Sequence, residues 1–156
     1  MSFSRRDVLK TSASASLYGA LLSLGMIRAG TAQAQAVMQA AFQTKGIPDT
    51  LKALGAVGVS ESAEISIISP DIAENGAVVP VGVSSRIPNS DMVALLVDKN
   101  PNALAGAYQF LDGGLAEVNM RVKMGQSSDV FAIVRADGKY YMAKKEIKVT
   151  LGGCGG

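Results

Sequence analysis

An Asp137-Gly138 pair stands between two alternating runs, Val130 to Ala136 and Tyr140 to Leu151, and it constrains the fold more than any other feature. Asp-Gly suits the two central positions of a tight turn that need φ > 0, and that turn's twist matches a pair of antiparallel strands. The same grammar recurs upstream. Glu64 to Ser69 alternates and Pro70 ends it; Glu74-Asn75-Gly76 supplies a turn before Ala77 to Val83, whose internal Pro80 points to an edge strand or a bulge. Met92 to Asp98 is nearly continuous in apolar residues and reads as the central strand, with Asn100-Pro101 turning the chain after it. Leu104 to Leu111 and Leu115 to Met124 follow, broken by Asp112-Gly113-Gly114 and then by Gly125-Gln126-Ser127-Ser128. Within the second, Val118, Met120, Val122 and Met124 share one face and Arg121 and Lys123 the other. About seven short strands separated by turns predict an all-β fold, an antiparallel β-sandwich.

A short helical arm precedes the strands. Val37 to Phe42 is rich in helix formers, with Gly46 placed to stop it before Pro48, and a second turn runs from Thr50 to Leu54, ended by Gly55. Aromatic residues make up only 5% of the chain, so Val, Ile, Leu and Met must fill the core, and the methionines are core filler. Adjacent Tyr140 and Tyr141 face opposite sides of their strand; one suits the core edge, the other an interface. The polar stretches Pro70 to Gly76 and Lys99-Asn100-Pro101-Asn102 are explained as turns, with partner contact a second use.

The last strand runs into Leu151-Gly152-Gly153-Cys154-Gly155-Gly156. Glycine resists regular structure, so Gly152, Gly153, Gly155 and Gly156 read as a flexible arm around the single cysteine of the chain. Nothing in that arm buries the Cys154 thiol or supplies a cation to depress its pKa, which is expected near the ordinary value of about 8.5. Such a thiol is built to be visited by another active site. Prenylation does not fit, because that signal places the cysteine fourth from the end.

The start of the chain reads as an address. Ser4-Arg5-Arg6-Asp7-Val8-Leu9-Lys10 is similar to a twin-arginine export motif, and Leu17 to Ile27 is apolar but too short and too diluted by Gly and Ser to span a membrane. Ala32-Gln33-Ala34 and Ala34-Gln35-Ala36 are small-residue cleavage sites. The expected organisation is a signal peptide over 1–34, cleaved after Ala34 or Ala36, a helical arm over 35–62, a sandwich over 63–151 and a carrier arm over 152–156. The expected location is the periplasm. Arg5, Arg6, Lys10 and Arg28 against Asp7 account for the formal net charge of +2, so the remainder is close to neutral and slightly acidic. It shows no basic patch for nucleic acid and no resident membrane anchor.

Absent residues exclude whole chemistries. The chain has no histidine, which removes histidine-based triads, His-rich metal sites and haem ligation by histidine. One cysteine builds neither a zinc nor an iron–sulfur cage, and any disulfide must be with another molecule. No pair of carboxylates stands out as acid and base. The sequence therefore predicts no catalytic residue, no metal and no cofactor.

Ala73-Glu74-Asn75-Gly76 with Val79-Pro80-Val81, Lys99-Asn100-Pro101, Asp137-Gly138-Lys139, and Glu146 to Thr150 leading into the glycine-flanked cysteine together resemble the SoxY family. The resemblance covers most of the chain after the leader, and the closing Gly-Gly-Cys-Gly-Gly is its most specific part; Val8 departs from the commoner phenylalanine of the leader. It implies an immunoglobulin-like sandwich, a heterodimer with SoxZ, and a carrier of thiosulfate-derived sulfur bound covalently to Cys154. It further implies loading by SoxAX, hydrolysis by SoxB and, where present, oxidation by SoxCD. Two other classes remain for a lone exposed thiol: a thiol redox protein, and a module whose Cys154 makes an intermolecular disulfide.

Overall fold

The structure, a computed structural model, describes residues 36–110 and 114–150. The chain divides into compact units Met1–Val37 and Met38–Gly156. The expected leader over 1–34, with the cleavage point after Ala34, lies outside the described residues, whereas Ala36, the alternative, is the first described residue. From Met38 onward the fold below is that of the second unit.

Residues 36–42 (α1) are helical. The second helix, α2, spans Ile47–Ala53 and so begins earlier than the expected turn. Gly46 does more than stop α1: at φ 75° it is the N-cap of α2, and Pro48 occupies the first turn, where a missing N–H costs no helical hydrogen bond. At the other end Gly55 adopts φ 72°. Its N–H donates to Lys52 O at 3.0 Å while Ala56 N–H donates to Leu51 O at 2.8 Å, the paired bonds of a Schellman cap. The buried Thr50 hydroxyl is satisfied by Gly46 O and Thr44 Oγ1, both at 2.7 Å.

Nine strands follow among the described residues: β1 (Ser60–Glu61), β2 (Ile65–Ile68), β3 (Ile72–Ala73), β4 (Val79–Ser85), β5 (Ser90–Val97), β6 (Leu104–Gln109), β7 (Glu117–Val122), β8 (Ser128–Ala136) and β9 (Lys139–Val149). One sheet runs β1-β9-β8-β5-β6, with β3 also on β9; the other runs β2-β4-β7. The two face each other as a sandwich. All seven longer strands coincide with the expected segments. Asp137 (φ 49°) and Gly138 (φ 72°) form the two-residue β8–β9 turn, bracketed by the Ala136–Lys139 pair.

The additional strands β1 and β3 pair with β9 in parallel, two residues each. The chain thus touches the free side of β9, crosses to the other sheet as β2, and returns to β9 as β3. β1 falls in the stretch read as helical arm, and β3 in the stretch read as a turn. Pro80 is a further difference. It lies in β4, the middle strand of its sheet, where an edge strand or bulge was expected. The physical reason is local: β2 pairs with β4 only from Gly82 to Ser85, so Pro80 has a strand on one side and no donor is missed on the other.

Two apolar layers result. Val93, Leu95 and Val97 of β5 point into the sandwich with Val79, Val81, Val83, Val130, Val134 and Ile147. Met92, Ala94 and Leu96 point the opposite way, where Ala41, Leu54 and Ala56 of the helical arm cover them. A strand buried on both faces has no polar alternation to display, which explains the continuous apolar run. Both tyrosines pack on cores: Tyr141 against the inner layer, and Tyr140 against the outer, its hydroxyl donating to Leu54 O at 3.1 Å. Both remain partly exposed.

Candidate functional site

Cys154 and its neighbours Gly152, Gly153, Gly155 and Gly156 lie outside the described residues, so the site that the structure describes is the root from which they leave. Strand β9 carries the chain there. Ile147 is fully buried and fixes the end of the strand in the inner core. Beyond it, hydrogen bonds come from both sides. Lys148 N–H donates to Asp71 O at 2.9 Å, Val149 N–H to Ser127 Oγ at 2.9 Å, and Thr150 N–H to Ala73 O at 3.0 Å. The Lys145 ammonium spans the same loop, 3.0 Å from Asp71 Oδ1 and 2.7 Å from Ser69 O. Strand β3 is too short to hold itself; these contacts hold it against β9.

Around the root, loops distant in sequence are joined. Asn75 Oδ1 accepts from Ala77 N–H at 2.9 Å, a side-chain mimic of a turn. Gly76 then passes so close to the end of β7 that Met124 N–H donates to Gly76 O at 2.6 Å. A Cβ there would collide with Met124 O and stand 2.8 Å from Val149 Cγ1. Lys99 N–H donates to the buried Ser128 hydroxyl at 3.0 Å, and Asn100 Nδ2 to Lys123 O at 2.8 Å. Ala73 to Gly76 therefore frame the end of β9, while Lys99 and Asn100 brace Ser128 and Lys123 at the two ends of the loop whose Ser127 holds Val149. Asp137-Gly138-Lys139 does not: it sits at the opposite end of that strand, about 33 Å away at the usual rise. Ser127 was legible only as part of a polar break, because its role depends on a strand that arrives from elsewhere in the chain.

A second ion pair lies away from the root. Arg135 Nε stands 2.7 Å from Asp91 Oδ1. That hydrogen bond, assisted by Tyr140 and opposed by burial, holds the guanidinium above its ordinary value. The stability that the raised arginine contributes is present through the neutral range and is lost as pH rises through the arginine range. Among the described residues no cluster of three or more His, Cys, Asp or Glu is placed to hold a metal. The outer face of β2-β4-β7 carries an open groove of about 670 Å³, lined by Ile68, Pro70, Pro80, Asn119 and Arg121. Its walls offer one guanidinium and no carboxylate.

The comparisons give this geometry a family. The model of "Sulfur oxidation protein SoxY" matches residues 51–154. Among solved structures, the sulfur carrier protein SoxY from Chlorobium limicola f thiosulfatophilum is 33% identical, with a TM-score of 0.61, over 67% of this chain and 94% of that one. The human F-spondin reeler domain is 15% identical with a TM-score of 0.39, over 58% of this chain and 92% of that one. No curated protein matches the sequence. With the family model spanning both sheets, the framed root and Cys154 itself, the chain belongs to the SoxY family of sulfur oxidation proteins.

Proposed function

We propose that this chain is a covalent carrier of sulfur intermediates in thiosulfate oxidation, with substrate attached to Cys154 and presented to separate enzymes. The observation that carries the reading is the root: β9 is fixed from both sides as far as Thr150, and Gly152-Gly153-Cys154 follows at once. A carrier needs a firm body that partners recognise and a narrow segment that enters their active sites. The relative from Chlorobium limicola is itself a sulfur carrier protein.

The chemistry suits a thiol. Cys154 and thiosulfate join through a new S–S bond with loss of one proton and two electrons, which a SoxAX-type cytochrome accepts. Hydrolysis by SoxB then breaks the bond between the outer sulfur and the sulfonate. Sulfate leaves with the water oxygen, two protons are released, and sulfane sulfur remains on Cys154 with the bonding electron pair. SoxCD, where present, oxidises that sulfane. In this reading the chain performs none of these steps, works as a heterodimer with SoxZ, and acts in the periplasm after twin-arginine export. It uses no cofactor.

The test is intact mass spectrometry of protein from cells grown on thiosulfate, before and after reduction. Reducible additions on Cys154 matching thiosulfate or sulfane sulfur are expected. A clean free thiol, or only a disulfide-linked homodimer, would overturn the carrier reading. Cys154→Ser should abolish loading while leaving unfolding free energy within about 0.5 kcal/mol, as expected for a small substitution between glycines.

A further inference from the structure

Lys145 points the unusual way for a charged residue. Tyr141, Ala143, Ile147 and Val149 share its side of β9, and all four pack on the inner core. Its ammonium crosses the flank of the sandwich from β9 to the chain leaving β2, 2.7 Å from Ser69 O and 3.0 Å from Asp71 Oδ1. The segment it reaches, residues 69–73, holds the end of β9: Lys148 and Thr150 donate their N–H groups to Asp71 O and Ala73 O.

Little else keeps that segment in place. β3 has two residues, Ile72 is 57% exposed, and only Ala73 among residues 69–73 is buried. The Asp71 side chain is largely exposed, where an ion pair contributes little. Ser69 Oγ is buried with no hydrogen-bond partner among the described residues, which opposes the closed segment because opening returns that hydroxyl to water. Few buried contacts and an unsatisfied polar group mark the low-stability part of a fold. The next anchor inward is firm, since Ile147 is fully buried and pairs with Ser128 of β8.

We propose that residues 69–73 are a latch on the end of β9, that Lys145 holds it shut, and that the latch sets the reach of Cys154. Closed, the arm starts after Thr150, and four Cα steps carry Cys154 at most about 14 Å. Open, Lys148 and Thr150 lose their acceptors. Val149 keeps one hydrogen bond, to Ser127 Oγ, too weak by itself to hold a strand end. Ile147 is then the last firmly held residue, and seven steps carry Cys154 at most about 24 Å. A more deeply recessed active site comes within range of the same chain. That use rests on the carrier reading, whereas the latch itself does not. An inward lysine also protects a sheet edge from added strands, but that role leaves the Lys148 and Thr150 amides indifferent to its charge.

The test needs no sulfur on Cys154, so its failure is distinguishable from failure of the carrier reading. Lys145→Met keeps the apolar stem and removes the charge. Hydrogen exchange at the Lys148 and Thr150 amides should speed roughly tenfold, with Ile147 unchanged. Ser69→Ala removes the unpartnered hydroxyl and should slow the same two amides roughly tenfold. Reach is read by pulsed electron paramagnetic resonance between nitroxides on Cys154 and on Lys139→Cys, at the exposed start of β9. Lys145→Met should extend the longest distances by about 10 Å, and Lys145→Arg should keep the parent distribution. Exchange or distances that ignore Lys145→Met, or an arginine variant that behaves like the methionine one, would overturn the latch. If Lys145→Met does not fold, Ser69→Ala decides: slower exchange at both amides supports the latch, and unchanged exchange overturns it.

Discussion

Gly76 and Gly138 are both turn glycines in the sequence, yet they are needed for different reasons. Gly138 sits at φ 72°, the left-handed region that side chains disfavour. Gly76 is not among the positive-φ residues; its requirement is space, because a Cβ would drive into Met124 O and Val149 Cγ1. Gly76→Ala is therefore expected to cost more than about 2 kcal/mol, as a strained close approach does. Gly125, in the β7–β8 loop, has nothing within 4 Å of an added Cβ. Gly125→Ala should stay within about 0.5 kcal/mol. Urea unfolding of both variants checks the contrast, and equal costs would mean that the root is less tightly packed than its geometry shows. The turn was legible from Glu74-Asn75-Gly76 alone. The packing reason was not, because Met124 and Val149 reach Gly76 only after the sheets form. Cys154 sits at the opposite extreme, being legible as a thiol from its glycine neighbours and from the absence of any other cysteine.

Among elements, those with a period were readable and those without one were not. β5, β8 and β9 announce themselves through alternation or a long apolar run, and the Asp-Gly turn fixes the register of the last two. β1 and β3 have two residues each, too few for any pattern, and exist because β9 offers a free side. Pro80 misdirects for a related reason: whether a proline is at an edge depends on how far its neighbour extends. The end of β9 is the element on which the carrier proposal rests, and Ser127 tests it. Ser127→Ala removes the only side-chain acceptor for Val149 N–H among the described residues. The expected loss is about 1 kcal/mol of stability, with faster hydrogen exchange at Val149 and little change at Ile147. Alkylation of Cys154 by a small reagent should keep its rate, because the sequence around the thiol offers only glycines and no cation to set its reactivity. If Val149 exchange is unchanged, Ser127 does not hold the strand end.

At the scale of the whole molecule, one sheet is shared by two cores that meet at adjacent residues. Leu95 is buried in the sandwich, and Leu96 is buried against the helical arm. The continuous apolar run of β5 made its central position legible. What covers its second face was not, since the helical arm reads as two weak turns and docks through tertiary contacts such as Tyr140 Oη to Leu54 O. Leu95→Ala and Leu96→Ala each delete a fully packed side chain, and each should cost about 2–5 kcal/mol. Their local consequences should differ. Leu95→Ala opens the interior between the sheets and leaves the arm seated. Leu96→Ala removes part of the floor on which Ala41, Leu54 and Ala56 rest, so the arm should lift before the sandwich unfolds. Trypsin under native conditions reads this directly, because Lys45 lies between α1 and α2. Cleavage after Lys45 should accelerate in Leu96→Ala and remain near the parent rate in Leu95→Ala, once both are compared at equal global stability. Equal acceleration in the two would mean that the cores open together, and that arm and sandwich form one cooperative unit.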